Sequence, residues 1–141
     1  MADDGSDFAR SMSIATSGLR AQAGRMRVIS ENIANADSTA PTAAGNPYRR
    51  KVPTFSSALD RTLDARVVTL GKVRTDQSAF RIKHEPSNPA ADAGGNVKYP
   101  NVNPLVEMTD MREAQRSYEA NLNIISATRR MIQRTLDILK A

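Results

Sequence analysis

Apolar residues recur alternately four and three positions apart at both ends of the chain, and the middle lacks that rhythm. Near the N-terminus the seam runs Phe8, Met12, Ala15, Leu19, Gln22, Met26, Ile29 and Ile33. Near the C-terminus it runs Met108, Met111, Gln115, Tyr118, Leu122, Ile125, Arg129, Ile132, Leu136 and Leu139. An apolar period of about 3.5 residues marks a helix whose narrow seam packs lengthwise against another helix. Two such helices around a loop-rich segment describe an element that packs side by side with copies of itself or with relatives. That favours assembly over catalysis.

The first helix is expected from about Ser6 to Ala34, with Ser6 as its cap and Asp7 in the first turn, where the helix end is positive. Gly18 and Gly24 lie inside it, each costing about 1 kcal/mol relative to Ala. They mark either close approach of another backbone or a weakened turn facing solvent. The helix should stop near Asn35–Asp37, because Asn and Asp side chains compete for their own backbone and Pro41 follows.

The second helix starts with Asn103 as N-cap, Pro104 at the first helical position and Glu107 in the first turn. With no Gly or Pro beyond that, it should reach Leu139, a length on the order of 50 Å. A second apolar stripe of Ile124, Met131 and Ile138 flanks the seam, with Asn121, Thr128 and Thr135 between. The two stripes together form a face too wide for one partner helix, which suits a bundle of several.

Residues 36–47 are small, polar and rich in turn formers, and read as a loop. Tyr48–Phe55 has strand character broken by Pro53, Phe55–Leu63 has a short helical look, and Ala65–Val73 and Phe80–Lys83 read as weak strands. Residues 84–104 contain Pro86, Pro89, Gly94, Gly95, Pro100 and Pro104, which argues against regular structure and for an extended or hairpin-like surface excursion. The expected organisation is a helix over 1–35, a loop-rich middle with short strands over 36–103, and a helix over 104–141. The fold class is mainly α: two long terminal heptad helices packing as a coiled-coil-like pair, with a small β middle.

Composition sharpens this reading. The chain has 141 residues, three Phe, three Tyr and no Trp, so few aromatic anchors are present for a deep core. Part of the helices' apolar surface should therefore be covered by neighbouring chains. The net charge of +5 is spread out. Residues 36–100 carry ten basic and six acidic groups, while both helical segments are close to neutral. A nucleic-acid-binding protein concentrates its basic charge on one face, so nucleic acid is not an expected partner. Without cysteine there is no thiol chemistry and no Cys-ligated metal. Met1–Gly5 is acidic and no continuous apolar core follows, so no cleaved signal peptide is expected, and no apolar run reaches transmembrane length.

No catalytic set stands out. His84 is the lone histidine, beside Glu85 in a Pro-rich loop. Gly94-Gly95 does not lead into a helix, so no phosphate loop is present, and no small-molecule substrate or cofactor is expected. Glu107, Asp110, Glu113 and Glu119, interleaved with Arg112 and Arg116, read as a solvated or intersubunit ionic face. Arg49-Arg50-Lys51 could meet phosphate, blunt a strand edge or pair with an acidic neighbour. Gln22, Gln115 and Arg129 occupy seam positions, where a polar group costs stability but fixes register; Arg129 could instead reach past the seam to solvent. The candidate subunit-interface residues are Met12, Leu19, Gln22, Met26, Ile29, Asn32, Ile33 and Asn35 on the first helix. On the second they are Met108, Met111, Gln115, Tyr118, Asn121, Leu122, Ile125, Arg129, Ile132, Leu136 and Leu139.

The run from Ser17-Gly18-Leu19 to Gln22, followed by Ile29-Ser30-Glu31-Asn32-Ile33-Ala34-Asn35-Ala36-Asp37, resembles the start of bacterial flagellar rod and hook axial proteins. Asn46-Pro47-Tyr48-Arg49-Arg50-Lys51, and above all Tyr99-Pro100-Asn101-Val102-Asn103-Pro104 leading to Met111–Asn121, resemble the proximal rod members of that family. The resemblance covers nearly the whole chain, with residues 56–98 least diagnostic. It implies terminal helices packed lengthwise in a hollow tube, a middle segment forming an outer layer, and helices only partly ordered in the free monomer. It also implies transmission of torque to the hook. The implied partners are copies of the chain, proximal and distal rod subunits, the rod–MS-ring junction protein and the type III export apparatus. The implied location is the basal body across the periplasm, reached without a cleaved signal. A soluble helical-hairpin adaptor or export chaperone is the competing reading, and the double stripe on the second helix argues against it.

Overall fold

The structure is a computed structural model that describes residues 4–140. Residues 1–3, part of the segment in which no cleaved signal peptide is expected, lie outside the described residues. In chain order the elements are α1 (Asp4–Ala34), β1 (Lys51–Val52), β2 (Phe55–Asp60), β3 (Ala65–Leu70), β4 (Arg74–Thr75), β5 (Arg81–His84), β6 (Asn96–Tyr99) and α2 (Pro104–Lys140). The chain is mainly α, with two long terminal helices and a small β middle.

The helix ends follow local chemistry, with one correction. Ser6 is not the cap of α1, because the helix already includes Asp4. At the other end Asn35 turns its side-chain amide back onto the Glu31 carbonyl at 2.8 Å, and Ser38 Oγ donates to the Asn35 carbonyl at 2.9 Å. These local bonds take up the last helical carbonyls and stop the helix. At the start of α2, Asn103 Oδ1 accepts from Leu105 N–H at 3.1 Å, and Pro104 is the first helical residue. No helix of the described residues is long and apolar enough to cross a membrane.

The chain forms two compact units. The first comprises Thr54–Lys72 with the described parts of Met1–Met26 and Glu113–Ala141. Here α1 and α2 run antiparallel: Arg25 pairs with Glu113 at 3.4 Å, and Gly18 lies against the side chain of Asn121. Ala15, Ala21, Ala114 and Thr128 are buried. The β2–β3 hairpin pairs Phe55 with Leu70 through to Asp60 with Ala65. Its turn holds Asp64 at φ 47°, a left-handed position that Asp tolerates better than most residues. Arg10 Nε donates to the Leu63 carbonyl at 2.7 Å and Val68 N–H donates to Ser17 Oγ at 3.2 Å, tying the hairpin to α1. The helical expectation for Phe55–Leu63 was wrong. Pairing along its whole length with β3 supplies what the Ser-Ser-Ala sequence lacks in strand preference.

The second unit comprises Arg27–Pro53 and Val73–Arg112. Two short antiparallel pairs, β1 with β4 and β5 with β6, lie within it. Ala90, Val97 and Tyr99 form a small buried cluster, and Val102 and Pro100 are also enclosed. The expectation that residues 84–104 lack regular structure fails at Asn96–Tyr99, which is a strand facing β5. The turn-forming residues occupy the connection between those strands, where Asp92 Oδ1 accepts the N–H groups of Gly94 and Asn96 at 2.9 Å each. Hairpin-like is therefore the apt half of that reading.

Candidate functional site

Two features stand out: a buried polar knot in the second unit, and the uncovered flanks of α2.

The knot joins three sequence motifs distant along the chain. Glu107, one turn into α2, is fully buried. Its Oε1 accepts from Arg50 Nε at 2.6 Å and its Oε2 from Asn32 Nδ2 at 3.1 Å. Asn32 Nδ2 also donates to the Lys51 carbonyl at 2.8 Å. Asn32 Oδ1 accepts from Lys51 N–H at 2.9 Å and from the Tyr48 hydroxyl at 2.8 Å. Every hydrogen-bonding direction of that amide is used, as a buried polar side chain requires. Arg50 also approaches Asp76 at 3.8 Å and Asp110 at 3.7 Å, and Lys51 pairs with Glu31. Asn101 fastens the outside: its Oδ1 accepts from Arg50 N–H at 2.8 Å and its Nδ2 donates to the Asp76 carbonyl at 3.1 Å.

The electrostatics fit this closure. Burial, reinforced by the carboxylates of Glu31 and Glu107, pushes the Tyr48 phenol up to about 12. The Ser78 backbone N–H and hydroxyl, helped by Arg50 and Arg49, hold Asp76 below the usual carboxylate range. The reading of Glu107 as part of an exposed ionic face is overturned. Its partners Arg50 and Asn32 lie far away in sequence, so a helix-local count of charges could not reveal its burial. Of the three options for Arg49-Arg50-Lys51, pairing with acidic neighbours is realised by Arg50 and Lys51, while Arg49 stacks over the Phe80 ring at 4.2 Å.

The sequence-read interface residues divide by burial. Ile29 and Asn32 are enclosed by their own chain. Met12, Leu19, Gln22, Met26, Ile33, Asn35, Met111, Tyr118, Asn121, Ile125 and Ile132 are half-buried. Met108, Gln115, Leu122, Arg129, Leu136 and Leu139 are exposed. The face of α2 that its own chain covers carries Glu107, Ala114 and Thr128, seven and fourteen residues apart, with Asn121 between. It lies one position away from the seam members Met108, Gln115, Leu122, Arg129 and Leu136. The second stripe is also bare, with Ile124 at 46%, Met131 at 50% and Ile138 at 76% exposure. Arg129 reaches solvent, and Gln22 Oε1 is buried without a hydrogen-bond partner. Gly18 and Gly24 both mark close approach, to Asn121 and to Leu70.

No group of three or more His, Cys, Asp or Glu able to hold a metal exists among the described residues, and His84 is exposed at the end of β5.

Two family models match: one described as "Flagella basal body rod protein" over residues 12–40, and one described as "Flagellar basal body rod FlgEFG protein C-terminal" over residues 93–138. The flagellar basal-body rod protein FlgC of Agrobacterium fabrum is 52% identical over 128 residues, covering 91% of this chain and 92% of its own length. FlgC of Bacillus subtilis is 37% identical over 145 residues, covering 92% and 97%. FlgC of Salmonella typhimurium is 39% identical over 126 residues, covering 89% and 92%.

Proposed function

The chain belongs to the FlgC family of flagellar basal-body rod proteins, and from that premise we propose how its two helices serve the rod. It is a structural subunit of the basal-body rod, located in the flagellar basal body. In our reading α1 and α2 form the axial core of the rod and residues 36–103 its outer layer. The exposed flanks of α2, with Leu122 and Leu136 on one side of the covered face and Ile124, Met131 and Ile138 on the other, are met by neighbouring subunits. Those neighbours are proximal and distal rod subunits and the rod–MS-ring junction protein. The rod crosses the periplasm and carries torque to the hook, and the chain reaches it through the type III export apparatus.

The observation that carries this reading is apolar surface left bare on two sides of one helix. Burying apolar area contributes about 25 cal/mol per Å², so several half-exposed Leu, Ile and Met side chains in line are a strong drive to associate. Two different flanks allow a head-to-tail contact, which builds an open filament wherever the rotation between subunits does not close a ring.

The test is a pair of charge insertions. Leu122→Asp alters a side chain 47% exposed in the free chain. It should leave the helical circular dichroism of purified protein unchanged while abolishing basal-body assembly and swimming. Ile29→Asp should lose both, since Ile29 is buried at 2%. Normal motility with Leu122→Asp would rule that flank out as an interface.

A further inference from the structure

The second unit contains a cleft of about 480 Å³ between the end of α1 and the β1–β4 pair. Its walls carry three cations, Arg27, Lys51 and Arg74, against one carboxylate, Glu31, with Val28 and Val73 among its lining. Lys51 and Glu31 are paired with each other. Arg27 and Arg74 are exposed, and neither guanidinium has a hydrogen bond or ion pair among the described residues. Neither belongs to the polar knot. Two free guanidiniums on either wall of one cleft, with an apolar side chain next to each, form a receptor for carboxylates. Each fork can take a carboxylate through two parallel N–H···O bonds.

The chain itself carries a matching ligand. Its first nine residues contain Asp3, Asp4 and Asp7 with an apolar Phe8 and no Lys or Arg; Arg10 follows, its guanidinium 3.5 Å from Asp7 on the helix surface. About 30 Å of α-helix separates Asp7 from Arg27 at 1.5 Å per residue. A helix cannot bring its own two ends together, so one copy's acidic tip is available only to another copy. We propose that the Arg27–Arg74 cleft is a carboxylate-binding dock for the acidic N-terminal tip of a second copy of this chain. The pairing is head-to-tail: the tip and the cleft are different surfaces, so each subunit offers both and the contact repeats along a line. It rests on the rod-assembly reading above and adds an electrostatic contact to the apolar flanks of α2. An acidic tip and a basic cleft also steer encounter at long range and so set the order of approach.

The test uses the purified full chain and a fluorescent peptide spanning Met1–Ala9 with an amidated C-terminus, followed by anisotropy. The peptide should bind the native chain, with affinity falling as salt is raised. Binding should be roughly tenfold weaker to Arg27→Ala/Arg74→Ala, the loss expected for about 1.4 kcal/mol of charge-assisted hydrogen bonding. The peptide with Asn in place of Asp3, Asp4 and Asp7 should lose binding to the same degree. Both arginines are exposed, so circular dichroism of the variant should match the native chain, and Arg27→Lys/Arg74→Lys should recover part of the binding. Equal affinity for native and Ala variants would overturn the site. Equal affinity for the Asp and Asn peptides would overturn the acidic tip as occupant. No measurable binding would overturn both. Because peptide capture is read on the isolated chain, its failure leaves the rod assignment untouched, and a failure of that assignment would appear in basal-body assembly instead.

Discussion

Arg50 Nε donates to Glu107 Oε1 at 2.6 Å, with the carboxylate fully enclosed and the guanidinium about one quarter exposed. Through this pair the residue before β1 is locked to the first turn of α2, and through Asn32 the carboxylate also holds the end of α1. A buried ion pair is weak evidence for added stability, since desolvation offsets most of its attraction. Its consequence is specificity. Once Glu107 is inside, any shift of the start of α2 against Asn32 and Arg50 leaves a naked charge, so the knot fixes their pairing within the second unit.

Glu107→Ala should therefore destabilise the chain by about 3 kcal/mol, because Arg50 and Asn32 lose their shared acceptor. Glu107→Gln should cost less, since an amide oxygen can still accept one of the two bonds. Urea denaturation of both variants provides the comparison. Equal midpoints for Glu107→Ala and the native chain would mean that the knot does not hold the fold.

The two glycines of α1 should respond differently to Ala. At Gly18 an added Cβ would stand 3.0 Å from both Asn121 Nδ2 and Oδ1, and that amide is already fixed by its bond to the Ser117 carbonyl at 2.9 Å. At Gly24 the added carbon meets the end of the flexible Leu70 side chain at 2.7 Å, which can turn aside. Removing a helix-interior Gly contributes about 1 kcal/mol. Gly24→Ala should thus be neutral or slightly stabilising, while Gly18→Ala loses that gain and Gly18→Leu prevents the helices from closing. Thermal melts of the three variants should rank in that order, with Gly18→Leu lowest.

Stability should fall at both ends of the pH scale. Asp76 is held low chiefly by Ser78, and Glu85 is held low first by the Tyr99 hydroxyl and then by Asn88. A carboxylate with a depressed folded value contributes stability that is present above its unfolded value and lost as pH drops through the folded one. The loss should therefore begin near pH 4 and deepen below it. For Tyr48 the sign reverses. Its raised value means the folded state keeps the proton longer, so its contribution is complete below the ordinary phenol range and disappears as pH climbs from there to about 12. Tyr48→Phe should reduce the alkaline loss, leaving the part owed to Tyr99, whose phenol is also held up, first by its hydrogen bond to Glu85, and should leave the acid limb in place. An unchanged alkaline limb in that variant would exclude Tyr48 as its source.

The sequence exposed what is decided locally and hid what is decided at a distance. Asn103 and Pro104 start α2 where cap chemistry says, and Asn35 ends α1 by bonding back onto its own helix. The heptad rhythm found both helices, and on α2 the residues that the chain itself covers lie one position away from that seam. Period alone does not say which neighbouring stripe meets the chain's own partner and which is left for others. Phe55–Asp60 is a strand because of Ala65–Leu70, and Glu107 is buried because of Arg50 and Asn32. Neither cause shows in the apolar period of the residues concerned. Asn32 stands among the expected interface residues, and within the chain both ends of its amide are satisfied by partners distant in sequence.

The measurement that bears most directly on the account is a density map of isolated basal bodies, sharp enough to trace this chain side chain by side chain. The account predicts the chain in the rod wall, with Leu122 and Leu136 against one neighbouring subunit and Ile124, Met131 and Ile138 against another. Glu107 should still be enclosed by Arg50 and Asn32 of its own chain. A trace with both flanks of α2 facing water, or a rod that lacks this chain, would contradict it.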